Sequence, residues 1–233
     1  MTDGSAAPVA FLFDVDNTLL DNDRVTADLQ RFLRKQVGEA CEERYWAIFE
    51  ERRRTLGYAD YLGALQRYRD ENPRDPHLLA MSSFLVHYPF ANRLYPQSLD
   101  VLERWGAWGP TVILSDGDVV FQPLKVERSG LFDAVEGRVL IYIHKEQQLG
   151  DVERRHPAER YVVVDDKIRI LTAIKRFWGQ RVTTVFPRQG HYAHAEDVAR
   201  WPRADVTVER IGDLLDWDLP ALLGAARPLE GES

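Results

Sequence analysis

"AFLFDVDNTLLDND", residues 10–23, joins an apolar run that must be buried to four acids, Asp14, Asp16, Asp21 and Asp23. Like charges set this close repel one another, so the chain gives up stability to keep them. A solvated turn or a helix cap explains one such acid; a bound cation explains several. The run before them, "VAFLF" at 9–13, has the length and the Val and Phe content of a strand buried on both faces.

Five more runs of this kind follow: "TVIL" (111–114), "RVLIYI" (138–143), "YVVV" (161–164), "VTTVF" (182–186) and "DVTV" (205–208). Helical patterns at 118–129, 145–155, 167–178 and 209–216 alternate with them. That alternation is the signature of parallel strands joined by crossover helices. The expected fold class is α/β, a Rossmann-like doubly wound parallel sheet. Between the first two strands, however, the segments "VTADLQRFLRKQVG", "ACEERYWAIFEERRRTLG", "ADYLGALQRYRDEN" and "PHLLAMSSFLVHY" all read as helices, with breaks at Gly38, Gly57 and the Pro73 to Pro76 turn. "LYPQSLDVLERWGAWG" then returns the chain to the sheet. The predicted organisation is a core domain of residues 1–22 and 92–233 with an α-helical cap domain inserted at 23–91.

Composition sets outer limits. At 233 residues, with 45% apolar and 29% charged residues, the chain can bury a sizeable core. A net charge of -7 argues against nucleic acid or an anionic membrane as partner, since no excess of cations exists to release counterions. The single Cys41 has no disulfide partner in the chain and reads as a packed helix residue. "MTDGSAAPVAFLFD" lacks a basic segment and reaches acids too soon for a signal peptide, and no apolar run approaches membrane-spanning length. A cytoplasmic location is expected. The run "EERRRT" (50–55) reads as a solvated helix face, and "ARPLEGES" (226–233) as a loose end.

In an open parallel sheet the ligand crevice lies beyond the carboxyl ends of the strands. There the sequence puts Asp14, then Ser115, then the adjacent acids Asp165 and Asp166, with Lys145 just past the third strand. Any one of these acids or the serine could be the N-cap of the next helix. Capping does not predict their convergence. Clustered carboxylates need a cation, and a hard ion such as Mg²⁺ suits them better than zinc, because no Cys or His cluster accompanies them. Magnesium in turn points to phosphate, whose charge it offsets.

With these residues in view the chain resembles the haloacid dehalogenase superfamily. Its first motif, a strand followed by DxDxT, resembles Asp14, Val15, Asp16, Asn17 and Thr18; its second is similar to Ser115 in "VILSDG"; its third to Lys145 in "IYIHKEQ"; its fourth to Asp165 and Asp166 in "VVVDDK". The resemblance implies that Asp14 attacks phosphorus, and that Asp16 protonates the leaving group and later activates water. It implies that Ser115 and the backbone after it, Asp116 included, bind the phosphoryl group. Lys145 offsets its charge, and Thr18 holds the loop. Mg²⁺ would be held by Asp14, the backbone carbonyl of Asp16, and Asp166 with Asp165 assisting. Lys125 is a rival to Lys145 but lies inside a predicted helix.

The activity implied is that of a Mg²⁺-dependent phosphatase acting on a small phosphorylated metabolite. A dehalogenase of the superfamily would not need Asp16; a phosphomutase or phosphotransferase would share every core motif; a non-catalytic phosphate-binding module is the reading from another class. His191 and His194, three apart in "RQGHYAHAED", read as surface or gate residues, and Tyr45, Trp46, Phe49 and Tyr61 as helix core. Asp21 and Asp23 read as turn and cap residues leading into the helical insertion.

Overall fold

The computed structural model describes residues 6–228; the outer limits of the expected core domain, residues 1 and 233, and the last five residues of the expected loose end lie outside them. Six strands form one parallel sheet: β1 (Ala7–Phe13), β2 (Thr111–Asp116), β3 (Val139–Tyr142), β4 (Ala158–Val164), β5 (Val182–Pro187) and β6 (Val206–Val208). Their order is β3-β2-β1-β4-β5-β6, so the chain steps outward from β1 on one side and returns beside it as β4. Every strand run predicted from the sequence is present. The switch in direction at β1 opens a crevice at the carboxyl ends of β1, β2 and β4.

Period-two alternation places the core on both faces of the sheet. From β1, Val9, Phe11 and Phe13 enter one apolar cluster and Ala10 and Leu12 the other. Helix α1 (Asn22–Phe32), α2 (Glu39–Leu56), α3 (Tyr61–Glu71) and α4 (Leu78–His87) fill the interval between β1 and β2, and α5 (Ser98–Gly106) leads back into β2. Trp105 of α5 lies 5.0 Å from Phe11 and 5.3 Å from Phe13, ring centre to ring centre. The apolar interior of α1–α4 runs without a break into this face, through Tyr61, Phe90 and Phe121. Cys41 is buried within it on α2.

After β2 come α6 (Phe121–Arg128) and the single turn α7 (Leu131–Ala134), and after β3 a 3-10 turn (Lys145–Gln147) and α8 (Leu149–Arg155). The first helix of this half starts at Phe121 rather than 118 because the Asp118 carboxylate accepts the N–H groups of Val120 and Phe121. Helix α9 (Ile168–Trp178) lays Ile170, Leu171, Ile174 and Trp178 on the second face. A turn, α10 (Gly190–Ala193), follows β5; the helix expected at 209–216 is a 3-10 helix, Ile211–Asp216, and α11 (Leu219–Gly224) ends the fold. Among the described residues no helix is long and apolar enough to cross a membrane.

Candidate active site

Phe13 pairs with Ile113 of β2 and with Val164 of β4, so Asp14 and Asp165 leave the sheet side by side, with Ser115 on the neighbouring strand. The backbone then turns at once. The N–H groups of Thr18, Leu19 and Leu20 all point to the Val15 carbonyl, and Asn17 takes a left-handed φ of 61°. Its side-chain oxygen accepts the N–H groups of Asn22 and Asp23, tying the loop to the first turn of α1. Asp21 caps that helix through the Arg24 N–H. Asp23 does not cap: its carboxylate accepts from Asn17 Nδ2 and meets both the backbone N–H and the ring of His191.

Lys145 is the hub. Its ammonium, 1% exposed, lies 2.5 Å from Asp14 Oδ1 and 2.6 Å from Asp165 Oδ2, and donates to the Leu114 carbonyl at 3.1 Å. Burial opposes the charged form of Lys145, but Asp14, Asp165 and Asp116 outweigh it and hold its ammonium pKa above the usual lysine range. The backbone N–H of Lys145 is fixed by Asp116 Oδ1 at 2.7 Å. The side chain of Asp116, a residue whose backbone the resemblance assigns to phosphate, thus holds the lysine in place. Ser115 Oγ lies 3.5 Å from Asp14 Oδ1 and accepts from Gln122 Nε2. Thr18 Oγ1 lies 3.4 Å from Asp14 Oδ2 and accepts the Asp166 N–H, linking the first loop to the fourth strand end.

One carboxylate oxygen from each of Asp14, Asp165 and Asp166 falls within 4.8 Å of the others. At an effective dielectric constant of about 20, each such pair repels by at least about 3.5 kcal/mol when both are ionised. Burial pushes the Asp165 carboxyl up to about 6, with Lys145 pulling it down and Asp14 pushing it further up. Asp166 is pushed well above the usual carboxylate range, by burial first. Both of its oxygens are buried without a hydrogen-bond partner. Lys167 is raised despite its burial, by Asp166, Asp14 and Asp165. Two ammonium groups thus face three carboxylates, one of which has nothing to bind.

Asp16 stands apart. Its Oδ1 lies 2.5 Å from the buried Lys125 ammonium of α6, and its side chain is outside the three-carboxylate cluster. Asp16 lines a cavity of about 470 Å³ between the core and α1–α3, together with Asp116, Lys167 and Gln122. Trp46, Phe49 and Tyr61 form part of its wall while also packing into the core; Tyr45 is core only, its hydroxyl donating to the Tyr61 carbonyl. Arg53, from the run read as solvated, also lines the cavity, and its guanidinium donates to Tyr192 Oη at 2.8 Å. Nothing in the local pattern singled out Arg53 or Tyr192. His191 lines the same cavity; His194 is not part of its wall.

The fold has counterparts in known proteins. The family model of the haloacid dehalogenase-like hydrolases matches residues 9–177, and the chain belongs to that family. A haloacid dehalogenase-like hydrolase from Burkholderia xenovorans LB400 is 63% identical, over 91% of this chain and 99% of its own, with a TM-score of 0.87. Two more distant structures share the fold. One is the L-2-haloacid dehalogenase of Xanthobacter autotrophicus, 21% identical over 88% of this chain and 96% of its own, TM-score 0.56. The other is a magnesium-bound hydrolase of the family from Bacillus subtilis, 13% identical over 90% and 98%, TM-score 0.58. No curated protein matches the sequence.

Proposed function

We propose that this hydrolase is a Mg²⁺-dependent phosphatase that cleaves a phosphate monoester of a small metabolite through an aspartyl-phosphate on Asp14. The observation that carries the reading is the buried Asp166 carboxylate, unpartnered at both oxygens beside Asp14 and Asp165. Three all-oxygen ligands in a site short of one positive charge fit a hard divalent cation. Asp14 and Asp166 would hold it, with Asp165 alongside, and the ion would polarise the phosphoryl group and offset its charge.

The chain's own groups account for the rest. An Asp14 oxygen forms a bond to phosphorus as the ester P–O bond breaks, and Asp16 passes its proton to the leaving oxygen. Water then attacks phosphorus, giving a proton back to Asp16 and releasing Asp14 and inorganic phosphate. Lys145 and the Ser115 hydroxyl stabilise the equatorial oxygens on the way. Helices α1–α4 serve as a cap, and the cavity beneath them takes the organic part of the substrate. A haloacid dehalogenase has no use for the proton carried by Asp16, which favours the ester reading.

The test is phosphate release from a panel of phosphorylated metabolites and p-nitrophenyl phosphate, with Mg²⁺ and with EDTA. Wild type turns over only with metal, and Asp14→Asn loses at least about three orders of magnitude in kcat. Chloride release from 2-chloropropionate without any phosphate release would overturn the proposal.

A further inference from the structure

Two buried lysines divide the acids of the site between them. Lys145 takes Asp14 and Asp165; Lys125, also 1% exposed, takes Asp16 at 2.5 Å and the Asn22 side-chain oxygen at 3.0 Å. An ammonium removed from water in this way is tolerated only because both acceptors reach it. Its place is further fixed by Phe121, whose ring centre lies 5.6 Å from Nζ and which packs against Tyr61 and Phe90. Asn22 in turn donates to the Tyr61 hydroxyl, so the tether spans α6, the loop after β1 and the helical insertion.

Asp16 itself is only partly buried, with 22% of its side chain exposed on the cavity wall. Among the described residues its Oδ2 has no hydrogen-bond partner, whereas Oδ1 is held by Lys125. Lys167 and Arg53 are cations on the same cavity wall, and Lys167 is the one that faces Asp14, Asp165 and Asp166, so the turn that matters is one towards Lys167. Such a turn would crowd a fourth carboxylate against Asp14, Asp165 and Asp166.

We propose that Lys125 is a positioning residue for Asp16: it ties down one oxygen, presents the other to the ester oxygen of the substrate, and keeps this acid out of the carboxylate cluster. The part concerning the ester oxygen rests on the phosphatase reading; the tether does not. Lys125 and Lys145, which compete for one role in the sequence, therefore serve two.

Two measurements test it. In crystal structures of wild type and Lys125→Met grown under one condition, the Asp16 carboxylate leaves its wild-type place in the variant; an unmoved Asp16 overturns the proposal. In kinetics, kcat/KM is compared for an alkyl phosphate, whose leaving oxygen needs a proton, and p-nitrophenyl phosphate, whose leaving group does not. The alkyl-to-aryl ratio falls at least about tenfold in Lys125→Met and recovers in part in Lys125→Arg. Equal losses on both substrates, as a purely structural role would give, overturn it. If wild type cleaves no phosphate monoester, the phosphatase reading fails and the crystallographic comparison alone decides the tether. If Lys125→Met does not fold, Lys125→Gln, whose shorter neutral side chain gives up the ion pair, takes its place in both measurements, and an unmoved Asp16 again overturns the tether.

Discussion

Asp166 carries a high electrostatic cost, being buried, unpartnered at both oxygens and beside two other acids. A carboxyl whose pKa is raised by folding costs nothing while protonated in both states, below about pH 4, and destabilises increasingly as pH rises above that. Asp166→Asn should therefore raise the melting temperature of the metal-free protein, by nothing below about pH 4 and by a margin that grows with pH until the folded carboxyl ionises. On the proposed Mg²⁺ reading, wild type should gain about 2.7 kcal/mol of stability at a hundred times the dissociation constant, and this variant should lose that gain. Thermal unfolding with EDTA and with Mg²⁺ across pH reads both. Lys145 gives the opposite sign. Lys145→Met strands Asp14 and Asp165 and should cost about 3–5 kcal/mol in urea unfolding, whereas Arg188→Ala, which breaks an exposed pair with Glu209, should cost at most about 1 kcal/mol.

The loop after β1 depends on one close backbone approach. Gly190, at the start of α10, has a φ of +66°, and a Cβ there would fall 2.4 Å from the Asn17 Cβ. Asn17 is the residue that ties the loop to α1. Gly190→Ala should destabilise the fold by about 1–3 kcal/mol and lower kcat by displacing Asp14 and Asp16; denaturant unfolding and steady-state kinetics check the two parts. At this scale the sequence was readable. Strand positions follow from short Val, Ile and Phe runs, which encode burial on both faces. Helix starts were less readable, since a polar side chain such as Asp118 can move one by three residues through its own hydrogen bonds.

The helical insertion and the sheet meet over the cavity, and the contacts bridging them are specific. Arg53 of α2 donates to Tyr192, and His191 meets Asp23. A Cβ on Gly57, which ends α2 with a φ of +83°, would run into the His144 ring. On the proposed phosphatase reading, substrate choice resides on this cap side, because the carboxylates and Lys145 would address only the phosphoryl group. Trp46→Ala should lower kcat/KM for the preferred substrate by about tenfold or more while leaving the Mg²⁺-induced rise in melting temperature intact. A loss of that rise would mean that the cavity wall and the carboxylate cluster are not separable.

The sequence by itself determined the sheet, the helical interval between β1 and β2, and the set of residues at the strand ends. These follow from local periods and from which residue ends each apolar run. How the charges pair was decided only by the tertiary structure. Asp16 and Lys125 are 109 residues apart, and Asp14 and Lys145 131 apart, and no spacing rule couples such distances. Asp116 sits where a phosphate ligand was expected, yet its carboxylate holds the Lys145 N–H; Arg53 belongs to a charge run, yet faces the cavity. Strand order and the packing of α6 and α2 set which cation reaches which acid. Electrostatic partners in a buried site are chosen by distance through space, which the one-dimensional pattern does not carry.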